Sequence, residues 1–217
     1  MIARIRPFSL TIILLVASGG TGGLAAALDS IGILRPLQRL AELGWFATGP
    51  PLATYTGALL ANTAIPVWSE ARGELPFVFG SSACASAGAA AAIFTAPASA
   101  GPARRAAVLG SALELGVVHS MEKRLGFVGE VYRQGEAGKY AKLSKGLVAA
   151  GAGLLALGGR RSRTAAVAGG SLVLAGELAL RWSIFKAGFQ SARDPKYTVV
   201  PQKARKAQRE AASEPGS

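Results

Sequence analysis

Long uncharged apolar runs dominate this chain and restrict what it can fold into. Residues 8–28, 43–69 and 75–103 contain no charged side chain. A helix of about 20 such residues spans the ~30 Å hydrocarbon core of a bilayer. Only 17% of the residues are charged, whereas about 25% are charged in an ordinary soluble domain. The sequence therefore predicts an all-α fold, a polytopic transmembrane helical bundle.

Three weaker apolar runs raise the predicted number of spanning helices to about six. These are residues 106–121, which carry charge in their middle, the short run 146–159, and residues 164–180. The polar stretch 122–145 between them is predicted to be a loop with room for an amphipathic helix. The first run, 8–28, also fits a secretory signal peptide, because small residues follow its basic start and apolar core.

The second run contains a proline pair and ends near a tryptophan, and the third run is rich in small residues. Pro50 and Pro51 lack an amide hydrogen, so the second helix is expected to kink or to begin late. Trp68 closes this run and suits a membrane interface. The third run is so rich in Ala, Gly and Ser that its helix is expected to be buried against closely approaching neighbours.

The charge distribution favours a membrane location over nucleic-acid binding. The net charge is +12, but the basic residues lie in short clusters between apolar runs and near the C-terminus. Loops and tails of membrane proteins carry such clusters, and six spans would place both termini in the cytoplasm. We predict a multi-pass protein of the bacterial cell membrane, with one bundle domain over residues 1–190. Residues 191–217 are predicted to form a basic polar tail, disordered at its end.

Glu114 is the strongest candidate for a functional residue. An ionisable group near mid-membrane is costly and usually faces the bundle interior, where it can carry protons or contact a quinone. The alternative is a structural role, with a neutral or hydrogen-bonded carboxyl group. His119 follows five residues later, about 140° around a helix, so the two side chains do not share a face. It is a second candidate for quinone protonation, or else a solvated helix end.

Tyr55 and Asn62 are the remaining candidates. They are seven residues apart, hence on one helix face, and could hydrogen-bond a quinone carbonyl or another helix. Glu177 and Arg181 are four residues apart with the acid first, and they are predicted to form a structural ion pair on one helix. Metal sites are not expected. The chain has one cysteine, Cys84, and one histidine, so no ligand spacing for zinc, an iron-sulfur cluster or haem exists.

Several ordered motifs resemble the NrfD/PsrC family, the polysulfide reductase-like membrane subunits, in its actinobacterial branch. The segments that carry the resemblance are GPPLATYTG at 49–57, ANTAIPVW at 61–68, ELPFVF at 74–79, GPARR at 101–105, ALEL at 112–115, MEKR at 121–124 and SARDPKYTVVPQ at 191–202. The last of these is the most specific.

The resemblance implies a haem-free membrane subunit of a molybdoenzyme-type oxidoreductase complex. Such a subunit anchors an iron-sulfur ferredoxin-like subunit, which connects to a molybdopterin catalytic subunit, and exchanges electrons with a quinone such as menaquinone. Family members have about eight helices, so this chain is expected to lack an N-terminal portion that contributes much of the quinone pocket. A miscalled start at Met1 and a real short form both fit this difference.

Two rival functions remain open at this stage. A purely structural anchor would tether a redox partner through its basic loops and tail, without any role for Glu114. A small membrane transporter or proton channel also fits an Ala- and Gly-rich bundle with one buried glutamate. The chain itself is predicted to be a non-catalytic subunit rather than an enzyme alone.

Overall fold

Helices are the only regular secondary structure in the described part of the chain. The computed structural model describes residues 7–32 and 34–213, and within them it contains no strand. The helices are α1 Pro7–Ile31, α2 Arg35–Ala61, α3 Pro66–Glu70, α4 Leu75–Phe94, α5 Gly101–Leu125, α6 Gly135–Leu157, α7 Arg163–Arg193 and α8 Lys196–Ser213, with a 3₁₀ helix Val128–Tyr132 between α5 and α6. The predicted all-α class is confirmed for these residues.

Three helical segments are long and apolar enough to cross a membrane. They are Ile12–Ile31 in α1, Leu75–Phe94, which is all of α4, and Arg163–Arg193, which is all of α7. A membrane protein is therefore supported, but the predicted total of about six spans is not confirmed. Helices α2, α5 and α6 have enough length, but charged residues near their ends dilute their apolar character.

Helix α4 lies at the centre of the bundle. It packs against α2, α5 and α7, while α6 pairs with α7 and α1 packs on α2. The close approach predicted for this Ala- and Gly-rich helix is confirmed at Gly88, where an added Cβ would lie 2.7 Å from the Ala103 carbonyl oxygen. Small residues therefore let the backbones of α4 and α5 meet directly.

The outer surface carries large apolar side chains, and the interior carries many small ones. Phe77, Phe94 and Leu157 are 66%, 86% and 84% exposed, whereas Ala85, Ala89 and Ala107 are fully buried. Large exposed apolar surfaces are rare on soluble monomers. This arrangement is the one expected of helices that face lipid and pack through small residues.

Helix α2 begins earlier than the sequence suggests. It starts at Arg35 and continues through Pro50 and Pro51 to Ala61. Of the two expectations, a kink or a late start, the late start is therefore wrong, and the kink stays a prediction. A proline in its first turn fixes a helical φ where no amide donor is needed. The run 43–69 is divided instead after Ala61, where Asn62 ends the helix and the short α3 follows.

The polar stretch 122–145, predicted to be a loop with room for an amphipathic helix, is mostly helical. Helix α5 continues to Leu125, and α6 begins at Gly135. Gly126 and Gly135 have φ values of 50° and 60°, and they allow the chain to turn on either side of the 3₁₀ helix. Lys139 and Lys142 are exposed on α6, whereas Lys145 is half-buried and forms an ion pair with Glu122. These charges gave the stretch a loop-like composition.

The C-terminal residues are also helical as far as Ser213. Helix α7 extends to Arg193, beyond the predicted end of the bundle, and α8 covers most of the predicted tail. Tyr197 at the start of α8 is buried, and its ring lies 5.5 Å from the ring of Phe127. Residues 214–217 lie outside the described part of the chain, so the predicted disorder at the end stays a prediction there.

Trp68 lies in the core and not at an interface, which corrects the prediction from sequence. Its side chain is 6% exposed, and its Nε1 donates a hydrogen bond to the Ile184 carbonyl oxygen at 3.0 Å. The indole ring occupies the space that a side chain at Gly188 would need. The short α3 is thereby attached to α7.

We expect the change Trp68→Phe to lower the free energy of unfolding by about 1–3 kcal/mol, because it removes a buried donor and part of a packed ring. Trp45→Phe is the matched control, since Trp45 is 56% exposed, and we expect a change within about 0.5 kcal/mol. Unfolding in mixed micelles of increasing sodium dodecyl sulfate measures both. Equal effects of the two changes would contradict the core position of Trp68.

Candidate functional site

Two glutamates from different helices meet inside the bundle. Glu114 of α5 is 1% exposed, and Glu177 of α7 is 3% exposed. Their carboxyl groups lie within hydrogen-bonding reach of each other. Gly110 and Ser111, one turn before Glu114, leave space for the neighbouring helix. We call Glu114 and Glu177 the carboxyl pair.

A serine on α4 connects the carboxyl pair to a cation. The Ser82 hydroxyl donates to Glu177 Oε2 at 2.5 Å, and Arg181 Nη2 donates to the same Ser82 oxygen at 3.2 Å. The Arg181 guanidinium lies 5.3 Å from the centre of the Phe79 ring. The sequence spacing suggested a direct pair between Glu177 and Arg181, but Ser82 stands between them as a bridge.

Several polar atoms of the cluster have no hydrogen-bond partner among the described residues. These are Glu114 Oε2, Glu177 Oε1 and Ser111 Oγ, all of them buried. Buried polar atoms are nearly always hydrogen-bonded, so each exception calls for a proton, a water molecule or a ligand. The carboxyl pair therefore has unused bonding capacity in the interior of the bundle.

A small enclosed cavity lies beside Glu114. It is lined mainly by residues of α5, α6 and α7, together with Tyr132 of the 3₁₀ helix. Its volume is ≈10 Å³, about the space that a single water molecule needs. This cavity is far smaller than the 300–1,000 Å³ or so of a typical site for an organic ligand.

The four residues predicted from sequence do not come together. Tyr55 is half-buried in α2, and Asn62 at the end of α2 is exposed and donates from Nδ2 to the Ala58 carbonyl oxygen at 2.9 Å. His119 is exposed on α5. None of these three lines the cavity beside Glu114. Their roles in quinone binding stay predictions, and they do not build a quinone pocket with Glu114.

Sequence reasoning assigned Glu177 to a local ion pair and gave no role to Ser82 or Tyr132. Glu177 is the only acid in the apolar run 164–180, as Glu114 is in 106–121. Acids within spans often pair with one another, so two isolated acids in two runs were the available signal. Nothing in the sequence singles out Ser82 among the many serines, because its role depends on which helices meet.

No metal centre is visible in the described ranges 7–32 and 34–213, where no three His, Cys, Asp or Glu side chains are grouped to hold an ion. Comparison with known proteins does not identify a family for this chain. No protein-family model matches the chain, and no curated protein or solved structure matches it either.

Proposed function

We propose that the chain is a multi-pass subunit of the cell membrane that belongs to a molybdoenzyme-type oxidoreductase complex of the NrfD/PsrC kind. In this proposal it anchors an iron-sulfur ferredoxin-like subunit, which connects to a molybdopterin subunit, and it serves electron exchange with the quinone pool. The motifs at 49–57, 61–68 and 191–202 support the family. The carboxyl pair is the structural observation that carries the function.

The carboxyl pair fits a membrane redox subunit because quinone chemistry consumes or releases protons together with electrons. Two carboxylates in contact, away from water, cannot both keep their negative charge at acceptable cost. We propose that Glu114 and Glu177 hold one proton between them. Ser82 and Arg181 stabilise the remaining charge on Glu177 through the hydroxyl bridge. The pair can then take up or release one proton without a large rearrangement.

Six spanning helices are part of this proposal. Besides α1, α4 and α7, we assign spans to α2, α5 and α6, which have 27, 25 and 23 residues. At 1.5 Å per residue each is longer than the ~30 Å hydrocarbon core. The exposed leucines of α5, Leu109 and Leu113, support contact with lipid.

Quinone does not fit the space beside Glu114, so no step of the proposal passes through a quinone bound there. The cavity has room for about one water molecule, and Tyr55, Asn62 and His119 lie elsewhere. Electron exchange with menaquinone is therefore proposed as a property of the assembled complex. The contribution of this chain is the proton-carrying pair and the membrane anchor.

A proton channel or small transporter is the second candidate, and the carboxyl pair favours it as well. A buried pair of acids with unsatisfied atoms is a typical feature of proton paths in membrane bundles. The two candidates differ in their partners. A redox subunit requires iron-sulfur and molybdopterin proteins, whereas a channel moves protons alone.

Co-purification from native membranes through a C-terminal tag tests the proposal. We expect iron-sulfur and molybdopterin subunits to accompany the chain, and the isolated complex to oxidise a menaquinol analogue. Proteoliposomes that contain the chain alone serve as the comparison and should show no proton flux under an imposed pH gradient. Isolation of the chain without partners, together with such a flux, would replace the redox proposal with the channel.

A further inference from the structure

A groove opens between α5 and α6 at the end of the bundle where α5 begins and α6 ends. The two helices are joined at the other end, through the 3₁₀ helix, and here they leave a cavity of ≈640 Å³ between them. Sites for organic ligands typically measure about 300–1,000 Å³. We call this cavity the arginine groove. Three arginines and four apolar residues form most of its lining: Arg104, Arg105 and Arg160, with Val108, Leu109, Leu155 and Ala156.

The positive charges of the arginine groove have no carboxylate to balance them. Residues 75–113, which include α4 and the first half of α5, contain no Asp or Glu, and neither do residues 137–176, which include most of α6 and the first half of α7. Within the described part of the chain, none of the three arginines of the groove forms an ion pair. Arg161 and Arg163 add two more positive charges at the same end. The electrostatic complement of the groove is therefore a ligand that carries negative charge.

Contacts with both neighbouring connections hold Arg104 in place. Its Nη1 donates a hydrogen bond to the Pro97 carbonyl oxygen at 2.6 Å. The stem of the side chain lies against Gly159, where an added Cβ would be 3.0 Å from Arg104 Cδ. Arg104 is half-buried, whereas Arg105 and Arg160 are exposed. The groove thus combines one positioned cation with two that can adjust to a ligand.

The arginines and the apolar residues of the groove lie at different depths. Leu109 is one helical turn after Arg105, and Ala156 is four residues before Arg160, which follows the end of α6. Because α5 begins where α6 ends, the arginine is the outer member of both pairs. Four residues of helix correspond to about 6 Å along the axis. The groove therefore presents cations at the end of the bundle and an apolar wall beneath them, which fits an amphiphile with an anionic headgroup.

We propose that the arginine groove binds an anionic phospholipid, with its phosphate on the three arginines and one acyl chain along Leu109 and Leu155. Guanidinium groups bind phosphate oxygens through parallel N–H donors, and basic pockets between membrane helices bind lipid headgroups. A free phosphate ion shares the chemistry of the headgroup but makes no use of the apolar wall. The inference does not depend on the redox proposal. It requires only a membrane location, which the three apolar helical segments support.

Native mass spectrometry of the full chain tests this site, with the protein released from nanodiscs of equal phosphatidylglycerol and phosphatidylcholine that carry the same acyl chains. We expect one phosphatidylglycerol molecule to be retained in preference to phosphatidylcholine. Arg105→Gln combined with Arg160→Gln should lower this preference about tenfold or more, because each basic residue near an anionic headgroup strengthens its binding. Arg161→Gln combined with Arg163→Gln is the matched control, since it removes the same charge from the same end but outside the groove lining. It should keep the preference within about twofold.

A variant without a change of charge separates a lipid from a free phosphate ion. Ala156→Phe fills the apolar part of the groove, so it should lower retention of phosphatidylglycerol about fivefold or more. Ala150→Phe is its control, because Ala150 is exposed on the same helix outside the lining. Retention of a small anion with the mass of phosphate, unaffected by Ala156→Phe, would overturn the lipid assignment.

Two further outcomes would contradict the arginine groove as a lipid site. Equal retention of both lipids by the unchanged chain would show that no anionic headgroup is selected. Equal losses in the two double arginine variants would show attraction by the general charge of this end of the bundle. The measurement needs neither quinone nor redox partners, so a failed co-purification would overturn the proposed function and leave this result standing.

Discussion

Glutamine at either position of the carboxyl pair is expected to lower menaquinol-linked turnover of the isolated complex about 10²-fold, the usual contribution of a positioned proton donor or acceptor. An amide is close to a carboxyl group in shape, but it neither takes up nor releases a proton. The changes Glu114→Gln and Glu177→Gln therefore remove the proton-carrying capacity while they keep the volume. Steady-state quinol oxidation, measured over a range of pH values, reports the loss.

Glu42→Gln is the matched control for these two variants. Glu42 is exposed on α2, far from the carboxyl pair in the sequence, and its Oε1 accepts a hydrogen bond from Gln38. We expect it to retain turnover within about twofold. If Glu114→Gln and Glu177→Gln behave like this control, the pair is structural and the chain is an anchor without a proton-carrying role. Size-exclusion profiles of the complexes separate loss of turnover from loss of assembly.

Predictions from the sequence were most successful where apolar runs were long and uncharged. The first run became α1, and the helix predicted to start at 75 begins at that residue as α4. Predictions failed where a helix contained several charged residues. Lys139, Lys142 and Lys145 made the start of α6 look like a loop, although a helix can carry all its lysines on one side. Composition alone does not distinguish a lysine-rich loop from a helix whose lysines lie on one side.

The carboxyl pair could be predicted only in part. A buried acid in a hydrophobic run singled out Glu114, because the cost of placing a charge there does not depend on its neighbours. Its partner could not be found in the same way. Glu177 precedes Arg181 by four residues, and this spacing suggested a local ion pair. Which of the two contacts forms depends on the rotation of α7 against α4 and α5, and this follows from packing over the whole helix.

Trp68 illustrates the same limit for an aromatic residue. A tryptophan beside a proline at the end of an apolar run is as typical of a membrane interface as of a core contact. Gly188 decides between them, because its missing side chain leaves space for the indole. The two residues are 120 positions apart in the sequence, and no local pattern connects them.

The second large effect is expected for Gly110→Val, a change at the crossing of α4 and α5 that should lower the stability of the bundle. A Cβ atom at Gly110 would lie 2.5 Å from the Ala85 nitrogen and 3.0 Å from the Ser81 carbonyl oxygen, which are backbone atoms that cannot move aside alone. Gly110→Val must therefore push the two helices apart. We expect it to lower the free energy of unfolding by about 1–3 kcal/mol, the usual cost of overpacking.

Gly116→Val on the same helix is the matched control, because a Cβ at Gly116 would have no neighbour within 4 Å. We expect its free energy of unfolding to stay within about 0.5 kcal/mol of the original. The Gly110 change should also disturb the carboxyl pair, since Gly110 lies one turn before Glu114 and faces the helix that carries Ser82. If Gly110→Val and Gly116→Val unfold alike in sodium dodecyl sulfate titrations, α4 and α5 do not cross at Gly110, and Glu114 of α5 is not held beside Ser82 and Glu177.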